Sequence, residues 1–213
     1  MRYAIVSGGD SRSFPAGDAF LAGAVPIGQA QVVIYVGGAL YVADATKVAV
    51  LVELGTESLG RHTGETMGDE GSNVLGFARY RNGSDAPSPL VELVRQPSSD
   101  AAALAAARKL FEAAKLTVAV CSDQAGRIID RLVRPKYNVA LRFLDEGLAT
   151  QKDMDLTCRM GLGYADGPIE RVVRGGLCYH HDVTEALFEI YGSPGYAPAR
   201  RAVVAAQRQK DKP

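Results

Sequence analysis

The chain is poor in cysteine, in net charge and in uninterrupted helical apolar sequence. Its three cysteines, Cys121, Cys158 and Cys178, are odd in number and far apart. That argues against a disulfide framework and for buried thiols in a reducing compartment, so a cytoplasmic location is expected. No pair of them has metal-ligand spacing, which speaks against a zinc site. Lys plus Arg equals Asp plus Glu at 24 each, so no net field draws the chain to nucleic acid or to an anionic membrane. The opening MRYAIVSGGD has too short an apolar run for a signal peptide. Ala19 to Ala43 holds no charged residue, but Pro26, Gln29, Gln31 and several glycines interrupt it. Its Val-Val-Ile-Tyr-Val run has strand composition, so buried strands are expected and not a membrane span. No internal repeat is present. With 213 residues, one or two domains with a self-sufficient core are expected.

Arg2 to Ser7 reads as a strand ending at Gly8-Gly9, the way a dinucleotide-binding unit opens. The G-x-G-x-x-G spacing fails, however, and Pro15 follows closely, so Gly8 and Gly9 read as turn residues and only weakly as a cofactor cradle. Val32–Val36 and Leu40–Ala43 suggest two strands in a hairpin at Gly37-Gly38, with too little helical pattern between Ser7 and Val32 for a full crossover. Further strands are expected over Lys47–Leu54, Asn73–Tyr80, Leu90–Val94 and Leu116–Ser122. A polar, glycine-rich loop with about one helical turn is expected over Arg61–Ser72. Ser98 or Ser99 should cap an alanine-rich helix to Lys115 with the stripe Leu104, Ala107, Phe111 and Ala114. From Leu90 onward, strand, helix and strand read as a parallel α/β stretch.

Asp123 to Pro168 organises the rest. Ile129, Val133, Ala140 and Leu144 share one helical face, with Ile128, Leu132 and Tyr137 beside it. Pro135 predicts a bend, Gly147 ends the helix, and Thr150 or Asp153 can cap the next one. Short helices are expected over Ile169–Arg174 and Val183–Tyr191, the latter with Ala186, Leu187 and Ile190 inward. A basic helix or frayed tail should follow Pro198, with residues 209–213 disordered.

The pattern D-x-x-G-x-I-x-D-R-L, then A-L-x-x-x-x-E-G, D-x-D and G-L-G-x-x-x-G-P resembles the start of the C-terminal domain of 3-hydroxyacyl-CoA dehydrogenases. Asp123, Gly126, Ile128, Arg131, Leu132, Ala140, Leu141, Glu146, Gly147, Asp153, Asp155, Gly161, Gly163, Gly167 and Pro168 carry the match. The resemblance implies an α/β plus all-α chain: a trimmed Rossmann-like sheet domain over 1–122, then a helical dimerisation and substrate domain over 123–213. It also implies a homodimer through the helical domain and an acyl-CoA ligand.

In that family a His–Glu dyad takes the proton of the 3-hydroxyl while hydride leaves for NAD. By resemblance the histidine position is Ala78 and the glutamate is Glu92. The family's Asn-Thr-Ser-Ser turn matches Gly55-Thr56-Glu57-Ser58, leaving Thr56 and Ser58 as substrate-binding candidates. A family asparagine matches Asp130, whose charge would oppose oxyanion build-up. His62, in the polar loop, is the candidate substitute base. Each residue also has a plainer reading: Glu92 paired with Arg79 or Arg81, Asp130 in a surface network with Arg127, Arg131 and Arg134, His180 and His181 as capping or solvent residues, Cys121 simply buried. Three functions follow: a catalytically depleted dehydrogenase relative with no cofactor, an active NAD-dependent enzyme with a relocated base, or a scaffold without a small ligand.

Overall fold

The computed structural model describes residues 1–64 and 73–211. The loop expected over Arg61–Ser72 lies mostly outside them, as do the last two residues of the tail. By contacts the chain divides into two units: residues 1–81 with 86–127, and residues 82–85 with 128–213.

The first unit is a sheet of six described strands: β1 (Tyr3–Ser7), β2 (Val32–Val36), β3 (Ala49–Glu53), β4 (Val74–Arg79), β5 (Leu90–Arg95) and β6 (Thr117–Ser122). They lie in sequence order, β1-β2-β3-β4-β5-β6. All neighbours are parallel except β4 and β5. The β-branched run of β2 is buried at every position, as a strand inside a parallel sheet must be.

The expected hairpin at Gly37-Gly38 is not formed. β2 runs parallel to β3, and Leu40 and Val42 are exposed outside the sheet. Gly-Gly between apolar runs signals a hairpin only when nothing else demands those glycines. Here both have positive φ, and a side chain on Gly37 would strike the Gly9 carbonyl. The pair lets two turns approach closely. β1 and β2 do make a parallel crossover, with only α1 (Ala19–Ala22) and a 3-10 turn between them.

One face of the sheet is covered by α3 (Ala101–Ala113), which buries Ala103, Ala107, Leu110 and Phe111 on Phe14, Phe20, Leu51, Phe77 and Leu93. Asp100, not Ser98 or Ser99, caps this helix by accepting from the Ala102 N–H. Ala114, expected in its stripe, is exposed. On the other face Val33, Tyr35, Val50, Val52, Leu54, Leu59 and Val94 form a second cluster with Cys121 at its margin. Alternation along the strands sorts residues to the two faces.

The second unit is helical: α4 (Ile129–Asp145), α5 (Gln151–Leu162), α6 (Pro168–Gly175), α7 (Leu177–Tyr191) and α8 (Arg200–Lys210). α4 continues through Pro135. Its core cluster is Tyr137, Ala140, Leu141, Ile169, Val172 and Ala199. Thr150 caps α5 through the Asp153 N–H, and the Thr150 hydroxyl donates to the Asp153 carboxylate. Leu132 and Ile190, expected at or beside buried faces, are exposed. No described helix is long and apolar enough to cross a membrane.

Candidate functional site

β4 and β5 are antiparallel, and their register sets Ala78 directly opposite Glu92. Opposed residues of such a pair point to one face, with Cβ atoms roughly 5 Å apart. That is the face away from α3, since Phe77 and Leu93, the next residues along, both pack under α3. A side chain at position 78 would therefore meet Glu92. A methyl group stands there.

Glu92 takes a different partner. The Arg127 Nε lies 3.5 Å from its carboxylate, with both side chains 4% exposed. The expected arginine pairing of Glu92 is thus present, but through Arg127 and not through Arg79. Arg79 is held by Asp18 at 3.0 Å and by the carbonyls of Ser13 and Ser88. Arg127 has a positive φ of 47° and follows Gly126, whose N–H donates to the Thr56 carbonyl at 2.7 Å. The Arg127 guanidinium also donates to the Gly55 carbonyl at 2.7 Å, while its Nε and Nη1 make no hydrogen bond among the described residues. Sequence reasoning missed this role because nothing in the spacing says which arginine reaches Glu92.

The turn carrying Thr56 and Ser58 is thus tied to the segment before α4 through its backbone. Both residues are partly buried. Glu57 accepts from the Gly55 N–H at 3.0 Å and lies 3.3 Å from His62 Nε2. Burial alone would raise the Glu57 carboxyl, but the N–H groups of Gly55 and Glu57, with His62, hold it below its ordinary value. Next to this turn, Asp123 accepts from the N–H groups of Leu59 at 2.6 Å and Gly60 at 2.8 Å, fixing α2 (Gly60–Thr63). Burial, followed by the Glu92 carboxylate, pushes the Cys121 thiol up to about 11. It is no thiolate nucleophile at neutral pH.

In the helical unit Asp130 is 7% exposed and pairs with Arg134 at 2.8 Å. The expected surface network is a buried one. Arg134 Nη1 lies 3.3 Å from His180 Nδ1, and His180 Nε2 lies 2.9 Å from Asn138 Oδ1. Arginine can only donate, so Nδ1 accepts and the Nε2 proton goes to Asn138. Burial, then Arg134 and His181, lowers His180 to about 3. His180 and His181 are buried, not capping or solvent residues. This polar chain links α4 to α7 through buried side chains.

The dinucleotide expected of a Rossmann-like sheet does not fit the sheet unit. Such cofactors bind at the carboxyl ends of parallel strands where strand order reverses. Here β1 is at the edge, and the order runs without reversal through the parallel strands. After Gly8-Gly9 no helix opens to receive a phosphate: α1 begins only at Ala19 and has 4 residues. A Cβ on Gly8 would lie 2.6 Å from the Ala39 N, so the turn is closed by its own neighbour. A cavity of about 540 Å³, lined by Tyr3, Phe20, Arg79, Lys109 and Leu110 among others, opens on the α3 face, opposite to Glu92. No group of three or more His, Cys, Asp or Glu among the described residues could hold a metal.

Residues 126–213 match the model of the 3-hydroxyacyl-CoA dehydrogenase C-terminal domain. A 3-hydroxybutyryl-CoA dehydrogenase of Mycobacterium tuberculosis is 35% identical over 112 residues, which are 52% of this chain and 39% of that protein. A probable 3-hydroxyacyl-CoA dehydrogenase of Caenorhabditis elegans is 29% identical over 131 residues, 59% of this chain and 40% of that one. The chain thus spans about two-fifths of the length of these curated relatives. Among solved structures, (S)-3-hydroxybutyryl-CoA dehydrogenase of Ralstonia eutropha superposes with a TM-score of 0.72 at 20% identity, covering 84% of this chain and 66% of the other. The 3-hydroxybutyryl-CoA dehydrogenase of Escherichia coli K12 gives 0.71 at 22% identity, covering 85% and 40%. The solved structures establish the fold, and the helical half, residues 126–213, is similar to the C-terminal domain of 3-hydroxyacyl-CoA dehydrogenases.

Proposed function

We propose that this chain is a catalytically depleted relative of the 3-hydroxyacyl-CoA dehydrogenases. It keeps the helical unit for self-association and takes an acyl-CoA thioester as ligand without oxidising or reducing it. The observation that supports this reading is the pair Ala78 and Glu92. A methyl group faces the retained carboxylate, and Arg127 neutralises that carboxylate where an imidazole would. Alanine can neither accept nor hold a proton. Loss of a general base costs roughly 10²–10⁴ in rate, before any loss from the missing cofactor cradle. Thr56 and Ser58 are the candidate thioester contacts. Asp130 cannot replace a neutral amide at the thioester while its carboxylate is paired with Arg134. Mixing the protein with NADH and acetoacetyl-CoA and following the nicotinamide absorbance tests the reading. The expected rate equals that of buffer; sustained turnover overturns it.

One observation favours a second reading, an NAD-dependent 3-hydroxyacyl-CoA oxidoreductase with a relocated base. His62 and Glu57 form a histidine–carboxylate pair at 3.3 Å beside the Gly55–Ser58 turn. That reading requires turnover in the same assay and its loss in His62→Gln.

A further inference from the structure

Three donors converge on one carboxylate at the carboxyl ends of the parallel strands. Glu53, the last residue of β3, accepts from the Ser11 hydroxyl at 2.8 Å and the Ser13 N–H at 2.7 Å through one oxygen. Its other oxygen accepts from the Gly37 N–H at 2.8 Å. The donors come from the segments that follow β1 and β2. In parallel α/β sheets these segments gather backbone N–H groups into concavities that hold anions. The glycines are what let the backbones close in: Gly37 has a φ of 61°, and a side chain there would collide with the Gly9 carbonyl.

The loop is fixed for this task. Ser11 and Ser13 are 6% and 1% exposed. The Ser11 hydroxyl donates to Glu53 while its oxygen accepts from the Phe14 N–H at 2.8 Å. The Ser13 hydroxyl accepts from the Arg79 N–H at 3.1 Å, anchoring the segment to β4. Arg12, the nearest cation in sequence, is turned to the Arg81 carbonyl at 2.6 Å and not to the carboxylate. The donors to Glu53 are therefore neutral dipoles aimed at a negative charge, the arrangement that holds phosphate oxygens elsewhere.

We infer that Glu53 is a built-in anion: its carboxylate occupies the cradle formed by the Ser11–Ser13 segment and the Gly37 turn, and closes it to phosphate-bearing ligands. A tethered carboxylate gives up no translational freedom on binding, whereas a free phosphate must do so and must also displace it. Removing the side chain leaves three aimed donors with no acceptor. The cradle then accepts an external anion of phosphate chemistry. This rests on the donors around Glu53 and not on the lost imidazole. A protein that turned over acetoacetyl-CoA and still gained anion binding on removal of Glu53 would refute the functional reading alone.

Inorganic pyrophosphate, titrated at low ionic strength into ¹⁵N-labelled full chain, is the probe. In the wild type the Ser13 and Gly37 amide signals should not move saturably. In Glu53→Ala both should move together and saturate, and the melting temperature should rise with pyrophosphate. Saturable movement of both amides in the wild type, or a folded Glu53→Ala that binds no pyrophosphate, overturns the inference. Should Glu53→Ala not fold, Glu53→Gln keeps the size and supplies one accepting oxygen instead of two. It should move the Ser13 or the Gly37 amide signal and lower the melting temperature by on the order of 5 °C. Unchanged amide signals and melting temperature in that variant also overturn it.

Discussion

At the scale of single residues, the sheet unit holds a buried ion pair. Glu92 and Arg127 face each other with side chains 4% exposed. Breaking a buried pair by removing one partner leaves a charge in low dielectric, and costs about 3–5 kcal/mol. Arg127→Ala should therefore lower stability by about that much in chemical unfolding. Arg127→Ala with Glu92→Gln should lose clearly less than the two single losses added; simple additivity would mean the two groups do not couple. His180 gives a pH signature. Its folded pKa, about 3, lies below the ordinary 6.5. As pH falls from 6.5 toward 3 the unfolded chain takes a proton that the folded chain refuses. Stability from this group is complete above pH 6.5 and is lost with a slope of up to about 1.4 kcal/mol per pH unit. Arg134, Asp130 and Asn138 on α4 and His181 on α7 set this environment. His180→Gln should remove that slope, so the stability gap between wild type and variant narrows from pH 7 to pH 5. A gap independent of pH contradicts the assignment.

At the scale of elements, two residues that carry the resemblance, Asp155 and Gly167, make a cap and a close approach. Asp155 accepts from the N–H groups of Ile169 at 2.9 Å and Glu170 at 3.0 Å, capping α6 from α5. Gly167, the α6 N-cap, can offer no side chain of its own, and a Cβ there would collide with Asp155. Asp155→Ala should cost about 2–3 kcal/mol, since one buried and one partly buried donor lose a charged acceptor. Hydrogen exchange at Ile169 and Glu170 should speed up first; unchanged protection there would contradict the capping role. This level was the most legible in the sequence. Period-2 and period-3.6 patterns anticipate the six described strands and the helices from α3 onward, and add a strand over Leu40–Ala43 that is not formed. Two things were not legible. The Gly37-Gly38 pair signals a hairpin and a close approach equally well, and only Gly9 across the turn decides. Likewise the α4 segment has two apolar faces, and its periodicity alone does not say that Tyr137, Ala140 and Leu141 face the core while Ile128 and Leu132 stay exposed. The partners of Glu92 and Glu53 depend on a positive φ at Arg127 and on which turns meet at the strand ends. No spacing rule encodes either.

At the scale of the whole molecule, the outer face of α4 matters most. Ile128, Leu132, Val139 and Phe143 are 40%, 69%, 40% and 41% exposed. Their spacing of four, seven and four puts them on one helical stripe, which suits the homodimer proposed from the family relation. Light scattering after size exclusion should give twice the 22.6 kDa chain mass, and Leu132→Asp should give the monomer; a wild-type monomer would remove self-association from the account. On the proposed function, a dehydrogenase-like fold persists here without cofactor chemistry. β1 lies at the sheet edge, so no strand-order reversal marks a dinucleotide crevice, and Glu53 already holds the N–H groups behind Gly8-Gly9. Thermal unfolding of the wild-type chain against millimolar NAD and NADH tests this most directly. The melting temperature should not move with either nucleotide. A saturable rise following mass action would contradict it.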